Sequence, residues 1–141
     1  MFVLDHQDGK FEYAVDQSGF CVEDGKLFIS IQCTAMEEDT FPDGYFFAIA
    51  YPAPSELGPQ IINIRSSRDD ESPGVFVYTT FHAGQVDARL VIKAATSDWI
   101  DIDLRVVTED VIYYDERAKK TPFHGSCRLA AITRESLWLP L

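Results

Sequence analysis

Residues 100–106 read Ile100-Asp101-Ile102-Asp103-Leu104-Arg105-Val106, an aliphatic side chain at every even position and a charge at every odd one. Successive side chains on a strand point to opposite faces, so this alternation is what a strand with one buried face requires. A helix would scatter the same four aliphatics around its circumference. The period recurs on either side. Phe11, Tyr13 and Val15 alternate with Lys10, Glu12 and Ala14, and Leu27, Ile29, Ile31 and Cys33 alternate with Phe28, Ser30 and Gln32. Val86, Ala88, Leu90 and Ile92 repeat the pattern, while Tyr45 to Tyr51 is apolar on both phases and predicts a central strand covered on both sides. Ile62 with Ile64, Val75 to Phe81, Val111 to Tyr114 and Phe123 to Ile132 complete the set. No stretch carries a helical stripe. The chain is expected to be all-β, a single-domain antiparallel β-sandwich or barrel of about ten short strands with little helix.

Turn chemistry points the same way. Asp8-Gly9 and Asp24-Gly25 each precede a lysine and a hydrophobic strand, and Asp-Gly suits the positive φ angles of a type I′ hairpin turn. Ala83-Gly84 is a third hairpin candidate. Pro52 to Pro59, with its prolines and Gly58, predicts a rigid crossing rather than a strand. Ser66 to Gly74 reads as an exposed polar loop, and Arg117 to Thr121 as a short basic one. Thr133 to Leu137 suits one helical turn, with Thr133 placed to cap it. Leu137, Trp138, Leu139 and Leu141 then follow around Pro140. Left in water, such a segment promotes aggregation, so residues 133–141 are expected to dock on their own domain.

The 141 residues match one domain with one core. A hydrophobic fraction of 46% with 13% aromatics excludes intrinsic disorder. The net charge of −11 disfavours direct binding to nucleic acid or an anionic membrane, which needs clustered Lys and Arg. Cys21, Cys33 and Cys127 are odd in number and form no CxxC pair, so a disulfide scaffold is not expected. The opening residues lack a cationic leader region, and the longest mainly apolar run, Tyr45 to Ala53, is too short to span a bilayer. A soluble cytoplasmic protein is the expectation, with Cys33 and Cys127 as buried thiols on the apolar phase of their strands.

Catalytic and metal signatures are sparse. His6, His82 and His124 share no ligand spacing, and His124 and Cys127 fall on opposite faces of one strand, so no metal or cofactor is expected. Ser126 in His124-Gly125-Ser126-Cys127 sits in a strand pattern and lacks GxSxG. Neither GxxxxGK[ST] nor GxGxxG occurs. Asp101 and Asp103 share a strand face about 6.6 Å apart at strand rise. That pair could serve a glycosidase or calcium, but its ordinary role is the solvent face of an amphipathic strand that Arg105 continues. Glu37-Glu38-Asp39 and Asp69-Asp70-Glu71 do not match an EF-hand loop.

The distribution of charge is more informative. Residues 1–43 hold ten acids against Lys10 and Lys26, a net of −8, while residues 44–100 carry −2 and residues 101–141 carry −1. The acids cluster at turns and in the loop Glu37 to Asp43, which also contains Phe41 and Pro42. A negative surface with an aromatic in it suits capture of a basic protein, with charge speeding encounter and the aromatic anchoring it. Net negative charge also keeps a small protein soluble, which needs no partner.

In character, a small acidic β-protein without catalytic motifs, the chain resembles bacterial immunity proteins and other toxin or enzyme inhibitors. That resemblance implies a non-enzymatic protein-binding domain that neutralises a basic toxin or nuclease by occluding its active site. The contact residues expected from the charge map are Asp8, Asp24, Glu37, Glu38, Asp39 and Phe41. A second reading is a small-ligand β-barrel, binding protein or enzyme, whose pocket is lined by Tyr45, Phe46, Phe47, Tyr51, Phe76, Tyr78, Tyr113 and Tyr114. A third is an assembly or chaperone-like subunit forming homo-oligomers through Leu137 to Leu141.

Overall fold

The computed structural model describes residues 1–67, 74–113 and 119–137. Among these residues nine strands are present: β1 (Phe2–His6), β2 (Gly9–Glu23), β3 (Lys26–Ala35), β4 (Gly44–Pro52), β5 (Gln60–Ser67), β6 (Val75–Tyr78), β7 (Gln85–Ala95), β8 (Trp99–Thr108) and β9 (Thr121–Ala130). All pair antiparallel in one sheet of order β5-β7-β8-β9-β1-β2-β3-β4-β6. Two meanders, β1–β4 and β7–β9, are joined where β1 pairs with β9. The sheet coils into a nearly closed barrel around one apolar core. At the opening, the Gly74 carbonyl accepts the Ala50 N–H at 2.9 Å, and a β-carbon on Gly74 would stand 3.5 Å from Ile64 Cγ2 on β5. The proline-rich segment after β4 carries the chain to the far edge of the sheet, where β5 begins.

The alternation that predicts strands also sorts their faces. Ile100, Ile102, Leu104 and Val106 are buried. On the outer face Asp101 receives Arg128 at 2.7 and 3.0 Å, and Asp103 receives Ser126 Oγ and Lys93 Nζ, the latter at 3.0 Å. These hydrogen bonds, Arg128 to Asp101 and Ser126 then Lys93 to Asp103, hold both carboxyls below their ordinary range. The pair is therefore a solvated strand face whose acids are matched across strands. His124 faces outward opposite Arg105, and Cys127 lies inward opposite Ile102. All three thiols are free. Burial, then the neighbouring Cys127, pushes the Cys33 thiol up to about 12, and burial pushes Cys127 up to about 11, so neither is a ready nucleophile.

Aromatic rings fill the interior. Phe123 of β9 stacks on Tyr45 of β4 at 3.7 Å between centroids and on Phe2 of β1 at 5.1 Å, and meets Tyr13 of β2 edge-on at 5.7 Å. Gly125 makes room for this cluster. A β-carbon there would overlap the Met1 carbonyl oxygen and stand 2.7 Å from Phe2 Cδ1.

Several expectations are corrected. Val111 to Tyr113 is a turn, not a strand, because the N–H groups of Ile112 and Tyr113 donate to Asp110 Oδ1 at 2.8 and 3.1 Å instead of to a neighbouring strand. The strand expected over Val75 to Phe81 stops at Tyr78. The first hairpin turn is Gln7-Asp8, enclosed by the His6–Gly9 pair, rather than Asp8-Gly9. Only Gly9 takes positive φ there, at 145°, because the Asp8 N–H is bound to His6 Nδ1. Asp24 and Gly25, at φ 54° and 74°, form the expected two-residue turn between Glu23 and Lys26. No hairpin forms at Ala83-Gly84, since β6 pairs with β4 and β7 with β5.

The segment after β9 runs back over β2. Ile132 donates to the Phe20 carbonyl at 3.0 Å, Arg134 lies 4.4 Å over the Phe28 ring, and Leu137 is buried. A 3₁₀ turn spans Arg134–Ser136, but Thr133 does not cap it through its side chain. Trp138 to Leu141 fall outside the described residues, as do Asp69 to Glu71, Tyr114 and Arg117.

Gly125→Ala is expected to destabilise the fold by about 1–3 kcal/mol, the range for overpacking a filled core. Chemical denaturation checks this; an unchanged midpoint would contradict the packing around Phe2.

Candidate functional site

Strand direction sorts the connections into two ends. The Gln7-Asp8 turn, residues 36–43, residues 79–84 and the turn after β8 lie at one end, while Asp24-Gly25, residues 53–59 and residues 96–98 lie at the other. Glu37, Glu38, Asp39 and Phe41 therefore come together on one loop, and Asp8 is at the same end. Asp24 is not: it closes the opposite end of β2 and cannot share a contact surface with the other five.

The acidic loop is tied to the core. Tyr13, fully buried, donates its hydroxyl to the Pro42 carbonyl at 2.5 Å. Its ionisation is pushed upward by burial first and then by Asp43 and Cys33, so the group stays a neutral donor. Ala35 donates to the Asp43 carbonyl at 2.8 Å and Met36 to the Glu12 carbonyl at 3.0 Å, pinning both loop ends. Asp39 has φ 63°, and the Phe41–Pro42 peptide is cis. The loop thus faces outward from a fixed base: Glu37, Glu38 and Asp39 are exposed, and so are Met36 at 56% and Phe41 at 50%.

A second network fixes the rest of this end. His6 Nδ1 accepts the Asp8 N–H at 3.0 Å, which leaves the ring proton on Nε2 to be donated to Asp110 Oδ1, also at 3.0 Å. Burial opposes ionisation of Asp110, yet the N–H groups of Tyr113 and Ile112, with the His6 ring, outweigh it and hold the carboxyl below its ordinary range. Next to it, Glu109 is buried and accepts the N–H groups of Gly84 at 2.5 Å and Gln85 at 3.0 Å. On the surface, Tyr113 donates its hydroxyl to Asp8 Oδ2 at 2.7 Å, and this bond makes the hydroxyl harder to ionise than usual.

A histidine on an aspartate invites a catalytic reading. Here both ring nitrogens are already engaged and the His6 side chain is only 1% exposed, so it has no nitrogen left to take a proton from a substrate. Among the described residues, no three His, Cys, Asp or Glu side chains gather to hold a metal ion. No helix is long and apolar enough to cross a membrane, among those residues.

The aromatic residues proposed to line a pocket divide between environments. Tyr45 and Phe47 pack in the core, Phe46 and Tyr78 meet at 5.9 Å as half-buried neighbours on the other face of β4 and β6, and Tyr113 is exposed at the barrel end. Met36 and Tyr113 were not legible as surface groups, because their exposure depends on a pinned loop and on a turn where the pattern predicts a strand. The sequence matches no protein-family model, and neither a curated protein nor a solved structure is detectably similar to it.

Tyr13→Phe removes the tie to Pro42. It is expected to cost about 0.5–1.5 kcal/mol and to speed amide exchange in residues 36–43 more than in β8, as read by hydrogen exchange. Asp110→Asn is expected to lower stability at neutral pH by about 1–3 kcal/mol. The folded pKa of Asp110 lies below its unfolded value. Its contribution is therefore complete above the ordinary carboxylate range near about 3.9 and is lost as pH falls through the folded value. Denaturation from pH 7 downward should show the gap between wild type and variant closing in acid; a constant gap would remove the charge from the explanation.

Proposed function

We propose that this chain is a non-enzymatic binding protein that captures a basic protein partner on the barrel end formed by residues 36–43 and the Gln7-Asp8 turn. The observation that carries this reading is the placement of Glu37, Glu38, Asp39, Met36 and Phe41, all exposed, on one loop anchored to a buried tyrosine. Anchoring matters because a pre-formed loop loses little conformational entropy on binding. Carboxylates at the rim accelerate encounter with a cationic surface, and Phe41 and Met36 supply apolar area to bury on contact. Asp8 and Glu12 add to the same negative field, whereas Asp24 does not.

Within this reading, an inhibitor or immunity protein that covers the active site of a basic toxin or nuclease is the form that best uses a rigid acidic end. Support for it comes from the charge map, the exposed aromatic and the engagement of both His6 ring nitrogens. The ligand-barrel alternative is weakened by the interior rings of Phe2, Tyr13, Tyr45 and Phe123, which pack on one another rather than around a space.

Recovery of a basic protein from native lysate at low salt, with release at high salt, would supply the partner. Against it, the triple variant E37K/E38K/D39K is expected to associate at least about tenfold more slowly at low ionic strength while keeping its unfolding midpoint. An unchanged association rate would refute the acidic loop as the capture surface.

A further inference from the structure

A cationic row crosses the outer face of β5, β7 and β8 between Asp87 and Asp103. Register sets Asn63, Arg89, Arg105 and His124 in one row across β5, β7, β8 and β9, and Arg65, Asp87 and Val107 in the next. Arg65 is matched by Asp87 at 2.7 Å. Arg89 and Arg105 have no carboxylate among the described residues, because Asp87 is taken by Arg65 and Asp103 by Lys93 and Ser126. Residues directly opposite on antiparallel strands hold their β-carbons about 4.5–5.5 Å apart, and like charges there repel. Two exposed arginines are thus set directly opposite each other in the register, in a chain with 23 acids and only 12 Lys and Arg. Asn63, Arg65, Asp87, Arg89, Arg105 and Val107 border an open cleft of about 660 Å³. A smaller cleft of about 380 Å³ continues past Arg65 to Gln85 and Lys120.

We propose that the Arg89–Arg105 cleft binds a phosphate group, either inorganic phosphate or the phosphate of a small molecule. A guanidinium presents a planar fork of N–H donors that matches phosphate oxygens two at a time, and two such forks balance the charge of a phosphate near neutral pH. Asn63 adds a neutral donor, while Arg65 stays paired with Asp87 at the edge of the cleft. A compact anion fits better than a nucleic acid. The field of a −11 protein repels an extended polyanion, whereas screening within about 8 Å at physiological ionic strength lets a small ion sense mainly the arginines beside it. This site is independent of the acidic end and survives if that reading fails.

Titration of the full chain with inorganic phosphate and with glycerol 3-phosphate, followed by NMR at constant ionic strength set with sodium chloride, tests the proposal. Saturable shifts centred on Arg89 and Arg105 are expected. Arg89→Gln and Arg105→Gln should each weaken binding by about tenfold, the loss of a charge-assisted pair of hydrogen bonds. Without phosphate, the same variants should melt at or above the wild-type temperature, because each removes half of a repelling pair. Tighter binding of glycerol 3-phosphate would identify a phosphorylated small molecule as the ligand, and equal or weaker binding would identify phosphate itself. Shifts that do not saturate, or wild-type affinity in either variant, would overturn the site. Lower melting temperatures in both phosphate-free variants would also overturn it, by showing that the arginines serve the fold.

Discussion

The ring of Phe123 is the point on which the barrel closes. It comes from β9, yet it lies 3.7 Å from Tyr45 of β4, and three strands separate those two in the sheet. The stack therefore crosses the interior instead of following the hydrogen-bonded ladder. Phe2 and Tyr13 join from β1 and β2, so one aromatic group joins both meanders. Each such ring contributes roughly 1.5–3 kcal/mol by leaving water. Its position also explains Gly125, the strand residue without a side chain that would otherwise meet Phe2. The same cluster reaches the surface through Tyr13, whose hydroxyl holds Pro42 and with it the acidic loop. Core packing and the presentation of charge are thus parts of one arrangement.

Two adjacent buried carboxylates shape the end of the barrel where that loop lies. Glu109 satisfies the N–H groups that open β7, and Asp110 satisfies those of the turn after β8 while holding His6. A buried carboxyl group is tolerated only where donors converge on it, and here backbone donors supply most of them. The outcome is an end where the entry to β7 and the turn after β8 are held from within. Arg89 and Arg105 show the reverse choice: two charges with no carboxylate partner among the described residues, where the acids one row away are spent on other partners. Stability would be served by an acid at either position. Retaining both cations is intelligible as the readiness of a binding surface.

The strand content of the chain was written in its period-two alternation, because a strand's faces are set by local geometry alone. Ile100 to Val106, Leu27 to Cys33 and Val86 to Ile92 all bury the phase that the pattern assigns. The Asp24-Gly25 turn was equally legible, since positive φ is a property of those two residues. Local pattern failed where a side chain two or three residues away captured the backbone N–H groups. Val111 to Tyr113 looks like a strand but turns because Asp110 takes its N–H groups, and the first hairpin moves by one residue because His6 takes the N–H of Asp8.

Much the same division governs the candidate sites. The acids of the first 43 residues and the grouping of Glu37, Glu38, Asp39 and Phe41 could be read directly, since neighbours on one loop stay neighbours in space. The separation of Asp24 from them could not, because it depends on which way a 15-residue strand runs. Nor could the meeting of Arg65, Arg89 and Arg105, which come from three strands aligned by register. By itself the sequence determined which residues face inward and where the negative charge is concentrated, both consequences of short-range order along the chain. Tertiary structure alone decided which charges share a surface and which tyrosine anchors the acidic loop, since strand order and register join residues far apart in the chain.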